Sequence, residues 1–192
     1  MKEIDFYPEL SENFRKYLLS YLPNNSRIEF AYNKTLPKMI ADIEGKFGYK
    51  SPLSGKYMPE LQLDILIGVQ LPDKEICFIL FEVKYLDNLP LAAFSQLVGY
   101  LQVAKVIKFG LLLLVIKNPS PNTLSKDFAN IILMKKLPMK WTLLLNDVLA
   151  TERHEFETGI CTYVPNNGID WKDTKELNGI SSFEELAKML KL

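Results

Sequence analysis

The sequence predicts an α/β protein with a mixed central sheet flanked by helices. Two strand-like segments, 61–69 and 75–85, are joined by a short turn rich in Pro and Asp, which favours an antiparallel hairpin. An Ala- and Leu-rich segment, 91–108, follows and has the length and composition of a largely buried helix. The continuous apolar run 109–116 then indicates a strand covered on both faces. Hairpin, helix and buried strand together predict strands of both directions in one sheet.

The segments before the hairpin also show clear periodicity. Residues 8–22 carry apolar side chains at three- and four-residue spacing and predict an amphipathic helix, with Pro8 in its first turn. Residues 27–32 alternate as a strand does, 35–47 predict a short helix, and 48–60 predict a long loop.

The last third of the chain predicts a mixture of helices and strands. We expect helices over 125–137 and 181–190, the second capped by Ser181 or Ser182, and strands over 141–145 and 159–165. Residues 1–120 are therefore interpreted as the core, and 121–192 as a C-terminal α+β extension packed on it within a single domain.

Composition limits the kinds of site that the chain can build. Two cysteines, Cys77 and Cys161, form neither a disulfide framework nor a zinc spacing. The single histidine, His154, lies in the charged segment TERHEFE and is expected to be exposed in a turn, without a functional role. A bound metal would therefore be held by carboxylates.

Charge and hydropathy indicate an intracellular, cytoplasmic protein without a membrane partner. Hydrophobic residues make up 48% and charged residues 24% of the 192 residues, and no apolar stretch is long enough to span a bilayer. The net charge is zero, but residues 101–140 contain 7 basic and 1 acidic side chains. The lysines of this segment form a candidate phosphate-binding surface. The alternative is that they are ordinary solvated lysines. The candidates are Lys105, Lys108, Lys117 and Lys126.

The end of the second hairpin strand carries the candidate chemistry. Side chains alternate along a strand, so Glu82 and Lys84 share a face. A three-residue turn would pair Leu71 with Glu75 and place Asp64 directly across from Glu82, on the face of Leu66 and opposite to Leu63. Opposed carboxylates repel each other. A shared proton, Lys84 or a divalent cation could neutralise them, and Mg²⁺ commonly uses one or two protein carboxylates.

The predicted helix adds two polar residues. Gln96 and Tyr100 are four positions apart and therefore lie on one helix face, in otherwise apolar surroundings. If buried, they require hydrogen-bond partners. They could orient the lysine or a phosphate, or they could simply be packing residues.

Asp64 in LQLDILIG, the Glu82-Val83-Lys84 segment and the Gln96/Tyr100 pair together resemble the PD-(D/E)xK nuclease superfamily. The Gln-x-x-x-Tyr spacing is similar to its RecB-type branch, and the strand motifs are similar to Holliday-junction resolvases. The resemblance implies a restriction-endonuclease-like αβββαβ core.

The resemblance also implies roles for these residues. Asp64, Glu82 and the main-chain carbonyl of Val83 would hold Mg²⁺ or Mn²⁺, Lys84 would activate or position water, and Gln96 and Tyr100 would be auxiliary. Many members carry a further glutamate on the first helix, for which Glu9 and Glu12 are both available.

We therefore expect a metal-dependent endo- or exodeoxyribonuclease that acts on DNA, either as a monomer or as a homodimer formed through the extension. An alternative is a catalytically inactive relative that keeps the fold as a nucleic-acid-binding or assembly module. A third is a structural protein in which Lys84 merely bridges the two acids.

Overall fold

A computed structural model describes residues 2–49, 58–116, 122–146 and 151–192 of the chain. They form one seven-stranded mixed sheet with helices on both faces. The helices are α1 (Tyr7–Leu19), α2 (Leu36–Phe47), α3 (Leu91–Val103), α4 (Lys126–Leu133) and α5 (Phe183–Lys191). The strands are β1 (Arg27–Thr35), β2 (Gln62–Gln70), β3 (Cys77–Lys84), β4 (Ile107–Val115), β5 (Lys140–Asn146), β6 (Thr151–Val164) and β7 (Gly168–Trp171). A 3-10 helix, Glu3–Phe6, runs directly into α1.

The order of the strands across the sheet is β1-β2-β3-β4-β6-β5, and β7 pairs with β6. Strands β1, β2 and β3 are antiparallel, whereas β3, β4 and β6 run parallel to one another. The carboxyl ends of β3, β4 and β6 therefore meet at one end of the sheet. The predicted α/β class with a mixed sheet is confirmed, and the last third of the chain extends this same sheet.

Two apolar layers fill the space between the sheet and the helices. Phe14 of α1 and Leu186 of α5 pack against Phe81 and Ile65 on one face. On the other face, α2, α3 and α4 cover the side chains that alternate with these, such as Leu80. β4 is buried on both faces, as its continuous apolar run predicts, because it lies between two strands and two helical layers.

Several predicted elements differ from the structure in extent. α3 ends at Val103 and β4 begins at Ile107, so the predicted helix 91–108 is too long. β6 begins at Thr151, well before the predicted strand at 159. The prediction of an exposed turn for His154 is wrong, because His154 is buried within β6 and its Nε2 lies 2.7 Å from the carbonyl oxygen of Leu101. The predicted loop 48–60 lies largely outside the described residues.

Close packing at Gly159 provides a test of how the C-terminal segment meets β6. A Cβ atom at Gly159 would lie 2.7 Å from the carbonyl oxygen of Ile180, which is backbone and cannot easily move. Gly159→Ala should therefore lower the free energy of unfolding by about 1–3 kcal/mol. Denaturant titration measures this change.

The matched control is Gly99→Ala on α3, where a Cβ atom meets nothing within 4 Å. That substitution should raise the free energy of unfolding by about 0.5–1 kcal/mol, because alanine loses less backbone entropy in a helix than glycine does. Equal stability of the two variants would contradict the packing of Ile180 on β6.

Candidate active site

Asp64, Glu82 and Lys84, three of the side chains predicted to act together, meet at the carboxyl end of β3. The β2–β3 ladder has the predicted register, in which Ile65 pairs with Phe81 and Val69 with Cys77. The Pro-Asp turn sets this register, with Asp73 in a left-handed conformation. One step further along the same register, Asp64 lies across from Glu82. The ladder itself ends at Ile65 and Phe81.

The carboxylate of Asp64 takes the place of the next ladder contact. Its Oδ2 accepts a hydrogen bond of 2.9 Å from the backbone N–H of Val83. On the other side of β2, Asn33 is the β1 residue that breaks the run of pairs with β2, and its φ of 45° lies in the left-handed region. β1 and β3 thus both depart from regular pairing with β2 at the level of Asp64.

The side chains of β2 do not alternate as predicted around Asp64. Leu63 packs in the layer of α2 and α3 together with Leu66, although the prediction placed them on opposite faces. Ile65 packs in the layer of α1. Because of this break in the alternation, Asp64 lies close to two other acids. Its charge acts on Glu82 of β3 and also on Glu3, beside α1.

Glu82 and Lys84 form the predicted same-face pair. Lys84 Nζ lies 2.5 Å from Glu82 Oε1. The Glu82 side chain is almost wholly buried and that of Lys84 is one-fifth exposed. Burial and the neighbouring charge of Asp64 raise the pKa of Glu82 to about 7, even though the hydrogen bond from Lys84 opposes this shift. Glu82 therefore exchanges its proton near neutral pH.

The acids also act on the lysine. Burial alone would lower the pKa of Lys84, but the hydrogen bond and charge of Glu82, with the charges of Asp64 and Glu3, outweigh it and raise that pKa. Lys84 is therefore protonated across the physiological range. The site holds a fixed positive charge beside carboxylates whose ionisation depends on pH.

Two residues that are not among the predicted site residues, Glu3 and Tyr7, complete the cluster. Glu3, in the 3-10 helix, accepts a hydrogen bond of 3.0 Å from the backbone N–H of Tyr85 and one of 3.1 Å from the hydroxyl of Tyr7. Burial and the charge of Asp64 raise the pKa of Glu3. Burial and the charges of Asp64 and Glu3 raise the pKa of Tyr7, so its hydroxyl remains a donor.

The two glutamates considered from the sequence lie elsewhere. Glu9 accepts a hydrogen bond from the backbone N–H of Asn166, and Glu12 pairs with Arg15 on the surface of α1. The signal for Glu3 is not local, because its partner Tyr85 is 82 positions away. The one local signal for them is their spacing, because Glu3 in the 3-10 helix and Tyr7 at the start of α1 are four positions apart.

Gln96 and Tyr100 are one helical turn apart, as predicted, but they are not buried. Gln96 is exposed and Tyr100 is half-buried, and Gln96 Nε2 donates a hydrogen bond of 2.8 Å to the Tyr100 hydroxyl. Their partners are therefore each other.

The candidate basic surface is divided between the two ends of the sheet. Lys105 and Lys108 lie at the amino end of β4, opposite to the candidate site. Lys126 begins α4, close to the bridge between Leu89 and Leu124 and hence at the end where β3 stops. Lys117 lies outside the described residues.

The donor set at the site consists of oxygen atoms, which suits Mg²⁺ or Mn²⁺. Within the described ranges, no group of three or more His, Cys, Asp or Glu side chains is close enough to form a metal site by itself. Asp64 and Glu82 alone match the one or two carboxylates that Mg²⁺ commonly takes, with water and phosphate completing its shell. The residues therefore fit a site with few protein ligands rather than an all-protein cage.

Comparison with models of protein families, with curated proteins and with solved structures finds no match to this chain. Among the described helices, none has the length and apolar character needed to cross a membrane. The function is therefore inferred from the local geometry alone.

The raised pKa of Glu82 predicts a pH-dependent stability. The folded pKa of about 7 exceeds the ordinary value of 4.5, so this carboxyl stabilises the fold when protonated, and that contribution is lost as the pH rises from 4.5 through 7. The free energy of unfolding should fall by up to about 3 kcal/mol over this interval. Urea titrations at several pH values measure the slope of the free energy of unfolding against pH.

Glu82→Gln removes the titrating group and should flatten that slope, leaving a smaller one of the same sign from Glu3, whose pKa is also raised. Glu12→Gln, on the exposed face of α1, is the matched control and should keep the wild-type slope. If Glu82→Gln leaves the slope unchanged, the buried Glu82 carboxyl is not the group that causes the pH dependence of stability.

Proposed function

We propose that this chain is a metal-dependent nuclease that hydrolyses phosphodiester bonds in DNA, with a restriction-endonuclease-like core in residues 1–120. The observation that carries the proposal is the cluster at the end of β3, where Asp64 binds the Val83 N–H beside the buried Glu82–Lys84 pair. The element order α1, β1, β2, β3, α3, β4 supports such a core, with α2 inserted between β1 and β2.

Three oxygen donors are available for Mg²⁺ or Mn²⁺. The carboxylates of Asp64 and Glu82 are two of them. The main-chain carbonyl of Val83 is the third, because the N–H and C=O of a residue in an antiparallel pair point to the same neighbouring strand. The Val83 N–H reaches Asp64, so the Val83 carbonyl also points to the side where the β2–β3 ladder has ended.

The chain's own groups would divide the work of hydrolysis. When bound, the metal would polarise the scissile phosphate and lower the pKa of a bound water. Lys84, held protonated by the acids, would place its charge where negative charge develops on the phosphate. Glu82 is bonded to Lys84 through Oε1, so its Oε2 would be the oxygen that binds the metal. Tyr7 would hold Glu3 by its hydrogen bond and so fix the side of the cluster next to α1.

Gln96 and Tyr100 take a smaller part in this proposal. α3 begins at the end of the sheet where β3 stops, so its first turns lie beside the cluster. The two side chains reach solvent rather than the acids. They would therefore meet the substrate and not the metal.

Loss of the lysine provides the test of catalysis. Lys84→Ala should lower the rate of Mg²⁺-dependent DNA cleavage by about 10²–10³-fold, the usual cost of removing one charge-stabilising group. Labelled single-stranded, duplex and branched DNA, each with Mg²⁺ or Mn²⁺, measures cleavage directly. The matched control is Lys188→Ala, which removes a lysine from the exposed Glu184–Lys188 pair on α5 and should leave the rate unchanged.

Equal activity of the wild-type protein and the Lys84→Ala variant would overturn the catalytic assignment. DNA binding without cleavage on any of these substrates would favour the alternative of an inactive binding module.

Metal binding can be tested apart from cleavage. At pH 8 Glu82 is largely ionised and repelled by Asp64, so a divalent cation bound to both should stabilise the fold. At ten times its dissociation constant, Mg²⁺ should add about 1.4 kcal/mol to the free energy of unfolding. Asp64→Asn and Glu82→Gln should each lose this gain, and Glu12→Gln should keep it. Equal stabilisation of all four proteins would mean that the cation binds elsewhere.

A further inference from the structure

The opposite end of the sheet contains a pocket that the proposed function does not use. It lies where β3 and β4 begin, between the β2–β3 turn, the connection from α3 to β4, and the end of α5. Its volume is about 580 Å³, within the range of sites that hold small molecules. The pocket is therefore large enough for a ligand and distant from the candidate active site.

The walls of the pocket are mainly apolar. Phe78 and Phe109 are buried beneath it, whereas Ile76, Val106 and Met189 are half-buried and present apolar surface to it. Apolar surface of this kind gains free energy when a ligand covers it. An occupant should therefore have an aliphatic body.

The rim of the pocket is basic. Lys74, Lys105 and Lys108 line it together with one acid, Glu75. Lys74 donates a hydrogen bond to the backbone carbonyl of Lys191, which ties the β2–β3 turn to the end of α5 and closes one side. Three lysines against one glutamate favour an anionic group at the mouth.

An irregularity in β4 lies at the same place. Phe78 pairs with Ile107, but the next residue, Ile79, pairs with Phe109, so Lys108 is an extra residue in β4. Such bulges are rare between parallel strands, interrupt the ladder and change the direction of a side chain. The bulge thus falls on the strand residue that contributes a charge to the rim.

We propose that this pocket binds a small amphipathic anion, with its aliphatic body against the apolar wall and its anionic head at Lys74, Lys105 and Lys108. The proposal does not depend on the nuclease function, because the pocket lies at the other end of the sheet.

Cys77 provides a reporter of occupancy. It lines the pocket and is half-buried, whereas Cys161, the other cysteine, is fully buried. Burial raises the pKa of the Cys77 thiol to about 11, against the opposing charge of Lys108, so alkylation will be slow. An uncharged reagent such as iodoacetamide, at mildly alkaline pH, should therefore label Cys77 alone, and Cys77→Ser should abolish labelling.

The test is protection of Cys77 by decanoate. Decanoate should slow alkylation in a saturable manner. Decanol, which has the same body without the charge, and acetate, which has the charge without the body, should each protect much less. Lys108→Met keeps the aliphatic stem and should weaken decanoate binding about threefold, as expected for one partly solvated charge pair. Lys188→Met, on the outer surface of α5, should have no effect.

Protection is expressed as the ratio of alkylation rates with and without decanoate in the same variant, because Lys108 also influences the thiol directly. Lys84→Ala should bind decanoate as the wild-type protein does, so loss of nuclease activity and loss of this site remain separate results. No saturable protection, equal protection by decanol, or equal weakening in both methionine variants would each overturn the proposal.

Discussion

The hydrogen bond from the Val83 N–H to the Asp64 carboxylate determines how the polar end of the sheet is built. β3 is buried on both faces, so any backbone donor left unpaired there would be costly. By accepting this N–H, Asp64 allows the β2–β3 ladder to end without that cost. The same bond fixes a carboxylate beside Glu82. The same hydrogen bond therefore ends the β2–β3 ladder and brings the two acids together.

The sequence predicts this part of the molecule well where short-range chemistry sets it. The Pro-Asp turn determines the hairpin register, and strand alternation alone places Glu82 beside Lys84. The face of Asp64 could not be predicted in the same way. Alternation assumes a regular strand, whereas the left-handed Asn33 of the neighbouring β1 and the packing of Leu63 show that both strands are irregular at this point.

Other differences arise from tertiary contacts, or from a strand pattern in which charged residues alternate with buried ones. Glu3 joins the cluster through Tyr85, and no local spacing encodes that contact. His154 is different, because His154, Phe156 and Thr158 are buried in alternation with charged neighbours, which is a strand pattern. The surrounding charges favour a turn, but the period of two in the same residues predicts a strand. Gln96 and Tyr100 were expected to need buried partners, yet they satisfy each other at the surface of α3.

In the absence of a cation, the cluster reduces its own negative charge in two ways. The positive charge of Lys84 lies against Glu82, and the raised pKa of Glu82 allows that carboxyl to bind a proton. A divalent cation bound to Glu82 Oε2 would displace that proton, while Lys84 could stay bonded to Oε1. Lys84 would remain protonated beside the acids, and its other N–H groups would be available to donate to a phosphate oxygen. Cation and phosphate should therefore bind this cluster with positive coupling, because the cation neutralises the carboxylates that would otherwise repel the phosphate.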